Sequence, residues 1–276
     1  MLKKYIQFLK DHPLITAALA AAYAMVCIKG IPTETYYQMF LIRTLLCGAM
    51  IFFLYQISGE KTLMSYSHST GYVIRVTLPL WIFALLAGLF GLLNALGADY
   101  PLREKPWLEL LVGFLMFLFV GLFEEMAFRA VINDAIIARF RDKKHVFVLS
   151  AVCCSLVFGA LHVVGANLSS PLAWAQAAGK TLSAGIFGLI LLVLYWKTRN
   201  IWACGVVHGV YDFLCSLSNC IFQVPALPSG YVMPDEYAPA AIGLYGVLSA
   251  LTLLIFLFVW RRVGRKIDFE ELRKTW

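Results

Sequence analysis

Apolar residues run along this chain in long blocks separated by short polar stretches, and the blocks have the length a bilayer demands rather than that of a soluble core helix. A window of roughly 19 residues marks Leu14 to Ile28, Met39 to Ile57, Val73 to Leu96, Trp107 to Ile132, Val146 to Val164, Ala175 to Trp196, Ile201 to Val224 and Ala240 to Trp260. The pattern predicts an all-α polytopic membrane protein of about eight transmembrane helices, forming a single integral-membrane domain over 1–276. The longest polar connections run from Ser58 to Tyr72 and from Pro225 to Pro239, and no repeat or low-complexity tract interrupts the blocks.

Composition agrees, since 61% hydrophobic and 14% charged residues lie far from the balance of soluble domains. With both termini in the cytoplasm, sixteen of the twenty-three Lys and Arg fall on the inner side and only Lys29, Arg103 and Lys105 on the outer side. That asymmetry makes the net charge of +7 a topology signal. It points to the lipid bilayer as partner, not nucleic acid. The first block also has the basic start and A-x-A ending of a cleavable signal peptide; the charge alternation favours a retained anchor. Seven cysteines lie in apolar blocks without a CxxC pair, which suits packing better than a disulfide or zinc framework.

Polar residues at membrane depth are the functional signal, because lipid cannot satisfy them. They are Glu124, Glu125, Arg129, His162, His208 and Asp212, with Arg43, Arg75, Glu109 and Lys180 as less central cases. Glu125 and Arg129 stand four apart with the acid first, the favourable order for a helical ion pair. Glu124 points about 100° away on an α-helix and is left without the arginine. Phe158 with His162, and His208 with Asp212, share a helix face at the same spacing. The fourth and fifth blocks form a hairpin turning near Asp142 to Lys144, and Glu124 and His162 are each nineteen residues from Lys143, so equal helical arms place them level. For His208 and Asp212 to reach that depth, Asp134 to Lys144 must leave the membrane or lie along its surface.

Three segments in series, "EEMAFR", "FGALH" and "HGVYD", match EExxxR, FxxxH and HxxxN/D. In these motifs the chain resembles the CPBP family, the CAAX-protease and bacteriocin-processing intramembrane peptidases related to the CAAX prenyl endopeptidase. The matching core spans about 107–224. The resemblance implies a glutamate-dependent endopeptidase needing no cofactor or metal, acting on a membrane-associated or prenylated-type protein or peptide. Glu124 would activate a water held jointly with His162, and His208 and Asp212 would face the oxyanion. Glu125, Arg129 and Phe158 would support them. Aspartate at 212 accepts where asparagine would donate, so Asp212 could instead orient His208. Zinc or iron ligation by Glu124, His162, His208 and Asp212 is the competing chemistry. A non-catalytic scaffold or bacteriocin-immunity protein is the alternative without chemistry.

Overall fold

The computed structural model describes residues 2–31, 34–58, 63, 66–225 and 231–275. The described residues are helical throughout apart from loops and one isolated bridge between Leu102 and Phe222. In chain order the helices are α1 (Leu2–Asp11), α2 (Pro13–Gly30), α3 (Tyr36–Ser58), α4 (Thr70–Val76), α5 (Leu78–Gly97), α6 (Pro106–Glu125), α7 (Asn133–Phe140), α8 (Val146–Leu161), α9 (Pro171–Thr198), α10 (Ile201–Cys215), α11 (Leu217–Ile221), α12 (Ala238–Arg262) and α13 (Phe269–Arg273). Between α6 and α7 the residues Met126–Ile132 wind as wider π-helical turns. The three pieces form one rod, Pro106–Phe140, of 35 residues.

The expected all-helical membrane architecture is present, and the count of about eight spans is not confirmed. Among the described residues, five helices are long and apolar enough to cross a membrane: Tyr36–Gln56, Leu78–Gly97, Pro106–Phe140, Pro171–Thr198 and Ala238–Lys266. Pro13–Val26, Val146–Leu161 and Ile201–Cys215 are apolar but shorter. Two of these short helices, α8 and α10, carry the second and third motifs. The helix of α8 ends at Leu161 and passes His162 into a turn with Gly165 at φ 88°, while α10 breaks at Ser216 before the five-residue α11. Unwound backbone inside a membrane bundle is tolerated where protein covers it or where it borders a cavity, and these breaks both lie beside the polar residues. The block from Val73 to Leu96 is likewise interrupted at Thr77, whose hydroxyl donates to the Val73 carbonyl at 2.8 Å, just before Pro79.

The hairpin between the fourth and fifth blocks is present, with α7 and α8 joined by residues 141–145. Its polar arm, however, does not leave the bundle at Asp134. Asn133 and Asp134 are buried. Asp134 accepts from the Tyr195 hydroxyl at 2.9 Å and from both terminal nitrogens of Arg199 at 3.3 and 3.0 Å. Asn133 accepts from Ser150 at 2.7 Å and Trp196 at 3.0 Å, and donates to Asp134 at 2.8 Å. Internal partners replace water for these groups, so nothing forces the segment out. Arg199 closes α9 in the left-handed region at φ 53°, a conformation unfavourable to arginine, with its guanidinium forked onto Asp134.

Antiparallel α6 and α10 pack backbone to backbone. A Cβ on Gly121 would lie 2.3 Å from the Gly209 nitrogen, one on Gly209 2.6 Å from the Leu118 Cα, and one on Gly205 2.8 Å from the Leu122 Cα. Gly205 and Gly209 sit four apart on the third-motif helix, the small-xxx-small arrangement that lets backbones touch in lipid. His208 and Asp212 are thereby carried directly against the end of α6. Replacing Gly209 by Val should force the pair apart and cost about 1–3 kcal/mol or more, as overpacking of a tight contact does. A lower unfolding midpoint of the purified variant in detergent would check this.

Candidate intramembrane active site

The last turn of α6 delivers two carboxylates to different surroundings. Glu125 is fully buried, and its Oε2 stands 3.0 Å from the Nε of Arg129, itself only 1% exposed. The acid-first spacing produces this pair although the backbone between them has already begun its π-helical turns. The other oxygen of Glu125 accepts from His208 Nδ1 at 2.8 Å. One buried carboxylate therefore bridges the arginine of the first motif to the histidine of the third.

Arg129 places its guanidinium 4.3 Å from the centre of the Phe158 ring, and its two terminal nitrogens have no hydrogen-bond partner among the described residues. A desolvated guanidinium over an aromatic face is stabilised by the ring quadrupole. Room for it exists because residue 188 is glycine: a Cβ there would come within 2.9 Å of Arg129 Nη2 and 3.1 Å of Phe158 Cδ1. Phe158 also meets His162 edge to face, with ring centres 4.8 Å apart, and stands 5.9 Å from His208. A single phenyl ring thus touches one residue of each motif.

Glu124 is 21% exposed, and its Oε2 lies 3.8 Å from His208 Nε2. Asp212, 30% exposed, approaches the same nitrogen at 3.4 Å. His208, 3% exposed, consequently stands among three carboxylates, with Nδ1 turned to the buried one and Nε2 to the two that are partly open. His162 donates from Nδ1 to the Phe158 carbonyl at 2.8 Å. A carbonyl only accepts, so the proton sits on Nδ1 and Nε2 is left for another partner.

Two cations given little weight in the sequence reading also enter the site. Lys180 of α9 interacts with Asp212 and Glu124, and its ammonium lies 4.1 Å from the centre of the Tyr231 ring. Arg43 of α3 interacts with Glu124 and stands 5.7 Å from the Phe123 ring. Isolated Lys and Arg near span edges resemble snorkelling residues, so only their antiparallel neighbours reveal where they point. Asp134, expected in a segment that leaves the membrane or lies along its surface, forms with Asn133 the second buried network instead. Arg75 and Glu109 have no described ion pair with the cluster. Toward the turn at 141–145 the site is closed by buried Met126, Ala130, Cys204 and Val207, whereas Glu124, His162, Lys180 and Asp212 are only partly covered and Tyr231 is exposed on the opposite side. Among the described residues no group of three or more His, Cys, Asp and Glu is arranged to hold a metal ion.

Residues 106–214 match the family model of type II CAAX prenyl endopeptidase Rce1-like proteins. Over these residues the chain is similar to that family. The match begins with the first residue of α6 and ends one residue short of the end of α10, so the matched stretch contains all three motifs and the glycine contact that joins them. A search of curated proteins and a search of solved structures both find no match. The Rce1-like family belongs to the CPBP proteases, and together with the apolar helices it supports an integral-membrane peptidase with a peptide or protein substrate at the membrane.

Removing one partner of a buried ion pair leaves the other charge uncompensated, at about 3–5 kcal/mol. Arg129→Met should therefore destabilise the matched stretch by that amount, and Glu125→Gln in the same chain should recover part of the loss. Unfolding midpoints of the single and double variants in a denaturing-detergent titration would measure both.

Proposed function

We propose that the chain is an intramembrane endopeptidase in which Glu124 activates water for attack on a peptide carbonyl of a membrane-associated or prenylated-type substrate. The observation that carries this reading is the unequal treatment of adjacent carboxylates: Glu125 is fully buried, with Arg129 at 3.0 Å and His208 at 2.8 Å, while Glu124 faces the open side with no arginine or lysine within ion-pair distance among the described residues. A general base must be free to take a proton and reachable by water. Glu124 meets both conditions, and Glu125 meets neither.

In the proposed cycle a water between Glu124 and His162 Nε2 gives its proton to Glu124 as its oxygen bonds to the carbonyl carbon. The carbonyl electrons become an oxyanion. His208, as an imidazolium held by Glu125, would donate to that oxyanion from Nε2 in a water-poor site, where a fixed donor acts most strongly. Asp212 accepts in its ionised form, so its part is to orient His208. Collapse of the tetrahedral intermediate breaks the C–N bond, and the proton on Glu124 passes to the leaving amine. A peptide would enter from the side carrying Lys180 and Tyr231, because the other side is sealed. In a bacterial inner membrane, and with both termini in the cytoplasm as the charge asymmetry suggests, that entrance would face away from the basic turn at 141–145.

Glu124→Gln preserves size and removes the base. It should lower the cleavage rate of a candidate substrate by about 10²–10⁴ with the unfolding midpoint nearly unchanged. Undiminished cleavage would overturn the assignment of Glu124. Loss of activity in chelator, restored by zinc, would establish a metal-dependent reaction on the same residues.

A further inference from the structure

A second recess lies away from this site. It is a cavity of about 610 Å³ bounded by α8, α9 and α12 and crossed at one end by α13. Val148, Val152 and Leu156 of α8, Leu182 and Leu189 of α9, and Trp260 of α12 form its walls. Val148, Val152, Leu156 and Leu182 are each more than half exposed, a waste of apolar area in water but ordinary against lipid.

The charged residues of the recess lie at one end. There Lys144 and His145 precede α8, and Arg273 of α13 closes the rim. The Arg273 Nε is buried with no hydrogen-bond partner among the described residues. Glu270 also lines the rim, but its side chain is 78% exposed and only 3.6 Å from Arg273 at its closest, a loose surface pair. From Lys144 to Leu156 the α8 wall runs about 18 Å at the helical rise, close to the half-thickness of a hydrocarbon core about 30 Å across. An anchored cation pair at one end and one leaflet's depth of apolar wall behind it match a phospholipid in shape and charge. Basic pockets between helices of this kind hold anionic headgroups.

We propose that this recess binds one anionic phospholipid, its phosphate against Lys144 and Arg273 and its acyl chains along α8, α9 and α12. The lipid would tie α8, which carries Phe158 and His162, to α12 and the carboxyl-terminal α13, where Phe269 already meets Phe147 at 4.8 Å and Trp196 at 5.8 Å. This site does not depend on the peptidase reading.

The test uses the full chain in nanodiscs of equal phosphatidylglycerol and phosphatidylcholine, released into native mass spectrometry. The expected result is one retained phosphatidylglycerol in marked preference to phosphatidylcholine, with retention falling about fivefold for each cation removed in Lys144→Gln and Arg273→Gln. Ala151→Phe, which fills the recess and leaves both cations, should also lose the lipid. Equal retention of the two lipids by the wild-type chain would overturn the proposal whatever the variants do. So would a rise in unfolding midpoint with inorganic phosphate in detergent equal to that with phosphatidylglycerol, since the affinity would then lie in phosphate alone.

Discussion

The backbones of α6 and α10 touch at Gly121, Gly205 and Gly209, and the placement of His208 and Asp212 against Glu124 and Glu125 depends on that contact. Lipid offers helices no hydrophobic gain on association, so close packing has to supply the attraction. Without side chains in the way, α10 comes near enough for His208 to reach Glu125 at 2.8 Å while remaining beside Glu124. A methyl group at any of these glycines would meet backbone atoms, which cannot swing aside as a side-chain tip can.

Charge is arranged in depth around this contact. Glu125, Arg129 and His208 form a buried, ion-paired layer, with the two terminal guanidinium nitrogens over the Phe158 ring, and Glu124, Asp212 and Lys180 form an open layer in front of it. Ionic groups inside a membrane protein have to find partners within the bundle. Here the buried layer meets that need and also holds the imidazole whose outer nitrogen faces the open carboxylates. Behind it, Asn133, Asp134, Tyr195, Trp196 and Arg199 lock the same rod to α9 and the start of α8 through Ser150. The site therefore rests between two polar layers that each find partners within the bundle.

Much of this was legible along the chain, for identifiable reasons. The Glu125–Arg129 pair follows from spacing within one helix. Phe158 and His162 share a face because both are on one helix. What escaped was set between distant segments. Asp134 looks like a surface acid until Tyr195 and Arg199, some sixty residues later, fold over it. Lys180 looks like an edge cation until α9 turns it toward Asp212 and Tyr231. The helix bounds differ from the apolar blocks where apolar content continued beyond the helix: Val163 and Val164 are as apolar as the residues before them, yet the backbone has already turned at His162. Hydropathy measures solvent preference and carries no information on where a helix must open to expose a polar end.

The π-helical residues Met126–Ile132 set a phase between the two polar layers. A helix wound with wider turns over seven residues advances fewer degrees per residue than the α-helix on either side. The face that presents Glu124 and Glu125 and the face that presents Asn133 and Asp134 are thus indexed separately, like two cams on one shaft. Removing a single residue from this stretch would leave the composition and all three motifs intact. It would nevertheless turn Asp134 by about 100° relative to Glu125, so that one layer or the other would lose its partners. In this rod, the number of residues between the motif and the polar lock matters as much as their identity.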